Sequence, residues 1–278
     1  QIKARLTELW NFERFGVPRV RGNRQFYARN SGLQNQSVLY VQEGDAPARV
    51  LIDPNPWAKD GATALAEWEP SPDGRYLAYG VQDGGTDWRT LKVRDVATGK
   101  DLPDSIAWAK FTEIAWKADG SGFFYARFAA PEKAATFTGR SDNHQVYFHA
   151  LGTPQSADRL VYETPAAPGR IHVVEVTDDG RWLVISSLEG AGGNAIHVAD
   201  LQTGEAPRPL VAALTHEWAL AGSSGDELLL RTNSGAARGR IVAKNALTGA
   251  EREIVPEGPG TVSGAVLTGD RLVVDTLE

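Results

Sequence analysis

A nine-residue stretch, Ser71-Pro72-Asp73-Gly74-Arg75-Tyr76-Leu77-Ala78-Tyr79, places an Asp-Gly turn directly before an apolar segment. The same order of turn and apolar residues returns at residues 117–125 and 177–185, with weaker copies at 224–230 and 268–274. The glycines of the five turns are separated by 46, 60, 45 and 44 residues. A nearly regular interval of this size indicates an internal structural repeat.

Each repeat carries the signals of two linked hairpins. Asp-Gly supplies the positive φ values that a tight turn needs, and the residues after it are largely apolar, β-branched or aromatic. A second turn signal, Thr-Gly, occurs at residues 98–99, 203–204 and 248–249. Four antiparallel strands in about 45 residues are typical of one β-propeller blade. The alternative is a β-sandwich, whose turns recur every ~8–12 residues but which has no reason to repeat at 45.

The sequence therefore predicts an all-β protein, a β-propeller with about five to six blades in this chain. A short N-terminal helix is predicted over residues 2–15, where Ile2, Leu6, Leu9 and Trp10 recur at helical spacing before Pro18. We predict two regions, residues 1–22 as the end of a helical segment with its linker and residues 23–278 as the propeller. The 60-residue interval contains an insertion at residues 129–143, expected to form a long loop. The tryptophans predicted to pack between blades are Trp68, Trp88, Trp116 and Trp182.

Composition excludes several classes of partner. The chain has 278 residues, 42% hydrophobic, with a net charge of −6 and no Cys or Met, which is typical of a globular protein without disulfides or thiolate chemistry. Its mildly acidic balance disfavours nucleic acid. Neither a membrane span nor a signal peptide is visible in the sequence, so no membrane partner is expected and the compartment stays open between cytoplasm and periplasm.

Catalytic motifs are missing from the sequence itself. No Gly-x-Ser-x-Gly nucleophile elbow occurs, and the serines of Gly120-Ser121-Gly122 and Gly222-Ser223-Ser224-Gly225 are turn residues. The five histidines form no zinc-binding spacing, so no metal is expected; His149 and His197 are predicted as sheet residues with satisfied hydrogen bonds. No phosphate loop or dinucleotide fingerprint occurs, so no cofactor is expected. These residues by themselves indicate a scaffold or binding module.

Several separate strings resemble the propeller of the prolyl oligopeptidase family, in the family's order along the chain. The first blade is matched by Asn30-Ser31-Gly32-Leu33-Gln34-Asn35-Gln36-Ser37-Val38-Leu39-Tyr40 and Leu51-Ile52-Asp53-Pro54-Asn55. Later strings include Gly85-Thr86-Asp87-Trp88, Lys110-Phe111, Ile114-Ala115-Trp116, Asn143-His144-Gln145-Val146-Tyr147-Phe148-His149 and Leu151-Gly152-Thr153-Pro154-Gln155. The resemblance continues, with decreasing clarity, to the C-terminus.

The resemblance implies a post-proline-cleaving serine endopeptidase that acts on short peptides containing proline. In that family a seven-bladed propeller covers an α/β-hydrolase domain, which holds the catalytic triad and the proline pocket. We therefore expect no catalytic residue in this chain, a substrate-gating role for its propeller, and a hydrolase domain as its partner. The alternative is a freestanding propeller that acts as a protein-interaction module without catalysis.

Three substrate-binding residues follow from the resemblance, position by position. They are Phe111, Ile171 and Ala191, which correspond to the family's apolar pocket beyond the proline site. Relatives often carry Met at the position of Ile171, a thiol at the position of Ala191 and Arg at the position of Leu188. The Leu188 difference puts any electrostatic role of that Arg in doubt. Without the resemblance, Phe111 and Ile171 would be assigned to the core between blades.

A seven-bladed ring at about 45 residues per blade needs a little over three hundred residues. This chain begins at Gln1 without Met and reaches only a sixth blade, which begins near Ser263. We therefore expect a piece of a longer protein, without the closing blade. Open strand edges and uncovered apolar faces favour association with another chain, so self-association is expected.

Overall fold

The structure is a computed structural model that describes residues 1–84, 86–130 and 141–278. The predicted insertion, residues 129–143, lies mostly outside this range. Within the described residues, apart from one α-helix and a short 3-10 helix at Gln155–Ala157, the regular elements are β-strands. In chain order they are α1 Ile2–Trp10, β1 Arg14–Phe15, β2 Arg19–Arg21, β3 Arg24–Asn30, β4 Val38–Glu43, β5 Arg49–Ile52, β6 Ala64–Pro70, β7 Tyr76–Gln82, β8 Arg89–Asp95, β9 Asp101–Ala109, β10 Ala115–Trp116, β11 Gly122–Arg127, β12 Gln145–Ala150, β13 Arg159–Tyr162, β14 Ile171–Val176, β15 Trp182–Leu188, β16 Asn194–Asp200, β17 Arg208–Val211, β18 Trp218–Ser224, β19 Glu227–Thr232, β20 Arg240–Asn245, β21 Glu251–Val255, β22 Thr261–Thr268 and β23 Arg271–Leu277.

The strands form successive antiparallel units of the kind that the repeat predicts. The units are β1–β5, β6–β9, β10–β13, β14–β17 and β18–β21, followed by the hairpin β22–β23. The second and third units belong to one hydrogen-bonded sheet, because Ala109 of β9 pairs with Arg127 of β11. The all-β propeller class predicted from the sequence is confirmed.

The repeated turns have the backbone conformation that Asp-Gly predicts. All five repeat glycines have φ between +59° and +72°. Gly180 also permits close packing between units, because a Cβ there would lie 2.2 Å from the Cβ of Ala118. In the same turn, Asp179 accepts hydrogen bonds from the hydroxyl of Thr177 and the backbone N–H of Arg181. The turn therefore closes its own hydrogen bonds and still touches the preceding unit.

The hydrophobic core lies between the sheets. Successive side chains of a strand point to opposite faces, so a strand in the middle of a stack packs against two neighbours. In β11, Phe123 and Tyr125 join the cluster shared with the second unit, whereas Phe124 and Ala126 join the cluster shared with the fourth. The strand β15 divides its side chains in the same way, with Leu183 and Ile185 on one side and Trp182 and Val184 on the other.

Tryptophans connect neighbouring units. Trp116 and Trp182 are buried in clusters between units, and their indole N–H groups donate to the backbone carbonyls of Glu69 and Gly225 at 2.9 Å. Trp68 packs on the cluster between the first two units. Trp88 is half-buried and meets the edge of the Trp108 ring at 5.7 Å. The prediction of tryptophan packing between blades is thus confirmed for Trp68, Trp116 and Trp182. Trp88 also contacts the next unit, because its ring lies 6.2 Å, centre to centre, from that of Phe128, which follows β11.

The N-terminal helix is shorter than predicted. It ends at Trp10 because the following residues leave the helix and Arg14–Phe15 pairs with β3 as a strand. The guanidinium of Arg14 donates to the Asn30 side chain and the Gly32 carbonyl, which fixes that strand. The helix has no buried residue, and no helix in the described part of the chain has the length and apolarity to cross a membrane. The predicted border after residue 22 separates β2 from β3, which pair with each other.

A buried charged group links the second and third units. His149 of β12 lies between two carboxylates, with Nε2 2.9 Å from Asp104 of β9 and Nδ1 2.6 Å from Asp158. All three side chains have almost no exposed surface. Burial alone lowers the pKa of His149, but the hydrogen bonds and charges of Asp158 and Asp104 outweigh it and raise the pKa. The imidazolium thus ties β9 to β12.

The final hairpin has one covered and one uncovered face. Leu267 and Leu272 pack on the cluster of the fifth unit, whereas the register partners Val266 and Val273 point away from it. Their exposed fractions are 54% and 47%. Adjacent exposed valines on a two-stranded sheet form an apolar surface that favours association with another chain.

We expect the 278-residue chain to self-associate through this hairpin. Light scattering after size-exclusion chromatography checks it: the wild-type chain should exceed the monomer mass, and Val266→Glu with Val273→Glu should shift it towards the monomer. Leu247→Glu is the matched control, because Leu247 is equally exposed but lies in the turn between β20 and β21. A wild-type chain that stays monomeric at all concentrations contradicts the expectation.

Replacing His149 by Gln should lower the free energy of unfolding by about 3–5 kcal/mol, because two buried carboxylates lose their counter-charge. The raised pKa means that the imidazole contribution is complete below the unfolded-state pKa of about 6.5 and is lost as pH rises through the folded-state value. The difference from wild type in urea denaturation should therefore be larger at pH 6 than at pH 9. His197→Gln, which removes an imidazole hydrogen-bonded to the hydroxyl of Tyr162 and to no carboxylate of the described residues, is the control. A pH-independent difference for His149→Gln would refute the charged assignment.

Candidate functional site

A cavity of about 440 Å³ lies where the third unit meets the fourth. Its apolar lining is Phe111, Ile171, Val173 and Leu188, and its other lining residues are Arg89, Thr112, Glu113, Gly169 and Gly190. Ile171 of β14 and Leu188 of β15 are register partners, so their side chains stand next to each other on one face of the sheet. An open apolar pocket with a few polar groups at its border is suited to a side chain of a ligand.

The structure brings two of the three predicted site residues into one pocket. Phe111 and Ile171 both line it, together with Leu188. Ala191 lies in the exposed turn after β15, one residue beyond Gly190, and does not line the cavity itself. The core assignment that the sequence left open for Phe111 does not hold, because its side chain is 42% exposed.

Phe111 is held in an uncommon backbone conformation. Its φ is +54°, a region that residues with a side chain seldom occupy and that often marks a functional loop. The Lys110 ammonium lies 4.9 Å from the centre of the Phe111 ring and 5.1 Å from that of Trp88. Trp108, which contacts Trp88 edge-on, also has a positive φ of 64°. The loop between β9 and β10 therefore turns the Phe111 ring outward, away from the core.

Charged side chains border the pocket on its inner side. Arg89 donates to Glu67 at 2.7 Å, and Arg21 donates to Glu69 at the same distance. Burial raises the pKa of both Glu67 and Glu69, and the nearby arginines oppose that shift only in part. A second cavity of about 750 Å³ contains Glu69, Arg21 and Glu113, and Glu113 also lines the apolar pocket. Glu113 thus borders both the apolar pocket and the larger cavity with charged lining residues.

Two histidines that the sequence did not single out lie behind the apolar pocket. His144 and His172 are buried and stacked, with ring centres 5.8 Å apart. The pKa of each is lowered to about 4, chiefly by burial, and for His172 also by the neighbouring charges of His144, His197 and Arg170. Both rings are therefore neutral near pH 7. His149 and His197 are hydrogen-bonded strand residues, as predicted.

The repeated sheets and the buried clusters between them define a β-propeller domain with an open apolar pocket at one edge. The profile of the prolyl oligopeptidase N-terminal β-propeller domain matches residues 1–278. The chain belongs to the prolyl oligopeptidase family.

Individual relatives agree with this assignment. A prolyl endopeptidase of Elizabethkingia meningoseptica is 35% identical over 242 residues, which cover 87% of this chain and 34% of that protein. A solved structure from a study of two prolyl endopeptidases and their inter-domain dynamics has a TM-score of 0.88 at 40% identity, covering 99% of this chain and 41% of that one. Prolyl oligopeptidase B of Galerina marginata, bound to a 25-residue macrocyclization substrate, has a TM-score of 0.88 at 25% identity, covering 98% of this chain and 42% of that one. The chain thus spans about a third of the length of the relatives it matches in sequence.

Proposed function

We propose that this chain is the substrate-gating propeller of a post-proline-cleaving serine endopeptidase that acts on short peptides. The catalytic residues belong to an α/β-hydrolase domain that the sequence of this chain does not contain. Family membership over residues 1–278 supports the enzyme class. The sequence, which lacks a Gly-x-Ser-x-Gly elbow, supports the location of catalysis on the partner domain.

The observation that carries the proposal is the pocket formed by Phe111, Ile171 and Leu188. Its aromatic and aliphatic walls suit an apolar side chain of a peptide, which we assign to the residue two places before the cleaved proline. Burial of a side chain of that kind contributes about 1.5–3 kcal/mol. An interaction so far from the scissile bond can hold the peptide while the reaction takes place elsewhere.

Leu188 gives the pocket an aliphatic wall at a position where the family resemblance implies Arg in many relatives, and Arg89 and Glu113 are the charged residues of the lining. A leucine wall removes the cost of leaving a guanidinium without water or a counter-charge when an apolar group enters. Ala191 is a small, exposed residue in the turn one position beyond Gly190, which lines the pocket. We therefore propose that this protein accepts bulky apolar residues at that peptide position.

In the proposed enzyme the propeller selects substrates by size. A short peptide reaches the interface between the domains, whereas a folded protein is excluded. Covering the reaction also keeps bulk water from the acyl-transfer site, since closing an active site strengthens the interactions inside it. One relative of this chain is a dual-function macrocyclase-peptidase of Galerina marginata. Prolyl oligopeptidase B of the same organism has been solved with a peptide substrate bound.

The first experiment compares the chain with a product of the same gene that extends beyond Glu278. Hydrolysis of a Gly-Pro chromogenic peptide should be undetectable for the 278-residue chain and clear for the longer product. Folded proteins of the size of lysozyme or trypsin should remain intact in the same reaction, because the propeller excludes them. If the reading frame does not continue into a Gly-x-Ser-x-Gly elbow, the interaction-module alternative is preferred.

The second experiment places a larger side chain beside the border of the pocket. Ala191→Trp in the longer product should lower kcat/KM about tenfold for a peptide with Phe two places before proline, relative to the peptide with Gly there, because the indole takes up the space. Ala250→Trp is the matched control, since Ala250 is an exposed alanine beside the turn between β20 and β21. Equal selectivity of wild type and Ala191→Trp over the peptide series would refute the assignment of this border.

A further inference from the structure

Hydrogen bonds of His144 and His172 connect the three backbone segments that carry Phe111, Ile171 and Leu188 of the apolar pocket. His144 Nε2 lies 2.9 Å from the carbonyl oxygen of Lys110, the residue before Phe111. The backbone N–H of His172, the residue after Ile171, donates to His144 Nδ1 at 2.9 Å. His172 Nδ1 lies 2.9 Å from the hydroxyl of Ser187, the residue before Leu188. Each wall residue is thus a chain neighbour of one member of this group.

These contacts define the protonation of His144. Because Nδ1 accepts a hydrogen bond from a backbone N–H, it carries no proton, and the single ring proton is on Nε2, where it donates to the Lys110 carbonyl. A second proton on Nδ1 would face the N–H of His172, donor against donor. The contact that joins the β9–β10 loop to the start of β14 exists only with a neutral ring.

The packing around the pair leaves little space for other arrangements. Phe128 lies against His144 with ring centres 4.5 Å apart, and Tyr162 meets the edge of His172 at 5.1 Å. The hydroxyl of Thr164 lies 3.2 Å from His172 Nε2. Water therefore cannot readily replace the imidazole hydrogen bonds, and a broken contact must be accommodated by movement of the loops.

We propose that His144 and His172 are positioning residues of the apolar pocket, and that their neutral, hydrogen-bonded pair holds Phe111, Ile171 and Leu188 in the arrangement that selects a bulky apolar side chain. The inference rests on the proposed peptide-binding role of this pocket. It adds a determinant of selectivity that touches no substrate, and it makes the selectivity depend on pH while the fold is intact.

The direction of the pH effect follows from the groups that face the pair. Among the described residues, Arg170, His197 and His144 are the side chains whose charges lower the pKa of His172. The titratable ring of Tyr162 also contacts His172. All the charges that act on His172 are positive or become so on acidification, so they oppose protonation. The pocket should therefore stay ordered from pH 8 to about 6 and lose its arrangement as pH approaches about 4, the pKa of both histidines.

The test uses the active longer product and two peptides that differ only in Phe or Gly two places before proline. The ratio of their kcat/KM values cancels the titration of the catalytic groups, which is common to both peptides. In wild type this ratio should be constant from pH 8 to 6 and fall about two- to fourfold by pH 4, where about half of each imidazole is protonated, mainly through KM of the Phe peptide. A constant ratio over the whole range overturns the proposal.

Variants separate positioning from general stability. His144→Phe keeps the ring contacts with Phe128 and His172 but removes both hydrogen bonds, so the ratio should be low and independent of pH. Ser187→Ala removes the hydroxyl that is hydrogen-bonded to His172 Nδ1 and leaves both imidazoles. It should lower the ratio less than His144→Phe does. His197→Gln, which removes a third imidazole of lowered pKa in the same region, should leave the ratio at pH 7 as in wild type. Because it also removes one of the charges that lower the pKa of His172, it should move the fall of the ratio slightly towards higher pH. A His144→Phe ratio equal to that of wild type at pH 7 overturns the proposal.

A measurement without catalysis distinguishes failure of this inference from failure of the proposed function. In the 278-residue chain, nitrogen-detected NMR of the imidazoles should find His144 protonated on Nε2 alone at pH 7, and the Phe111 ring signals should shift with its titration near pH 4. If the longer product cleaves no proline peptide but this coupling is seen, the positioning role stands and the enzymatic proposal fails. Phe111 signals that do not respond when His144 titrates overturn the positioning role, whatever the activity.

Discussion

Packing of side chains between neighbouring sheets is the interaction on which the rest of this structure depends. Because a strand in the middle of the stack buries both of its faces, alternate residues of β11 and β15 belong to two different clusters. Each unit is therefore incomplete without its neighbours, and the tryptophan contacts to carbonyls of adjacent units reinforce the same dependence. The uncovered valines of the final hairpin are a direct result, since the same alternation continues there with a neighbour on one side only.

The apolar pocket exists because this packing stops at the edge of the sheets. Ile171 begins β14 and Leu188 ends β15, so both lie at the border where the cluster between units ends. The loop after β9 brings Phe111 to the same border in a positive-φ conformation. A pocket assembled from strand ends and a loop can change its lining without a change in the core.

Histidine serves two opposite electrostatic purposes in adjoining parts of the molecule. His149, between Asp104 and Asp158, has a raised pKa because two carboxylates outweigh the cost of burial. His144 and His172, buried beside aromatic rings and hydroxyl groups, have pKa values lowered to about 4. Burial acts in the same direction on all three, so the presence or absence of a carboxylate partner decides the sign. The charged histidine holds two units together, and the neutral pair organises the border of the pocket.

Local chemistry was sufficient to predict the repeat and its turns. Asp-Gly before an apolar segment indicates a hairpin from local residues alone. The nearly regular interval between the turn glycines indicates how many strands each unit can contain, so the all-β propeller was predictable. Phe111 and Ile171 could be named from the sequence by resemblance alone, because nothing local distinguishes a pocket wall from a core residue. The end of α1 at Trp10 and the strand at Arg14–Phe15 depended on pairing with β3, a contact that helical periodicity does not contain. The positive φ of Phe111 and the His144–His172 pair were decided by tertiary structure, since residues far apart in the chain become hydrogen-bonded neighbours only when one sheet packs on the next.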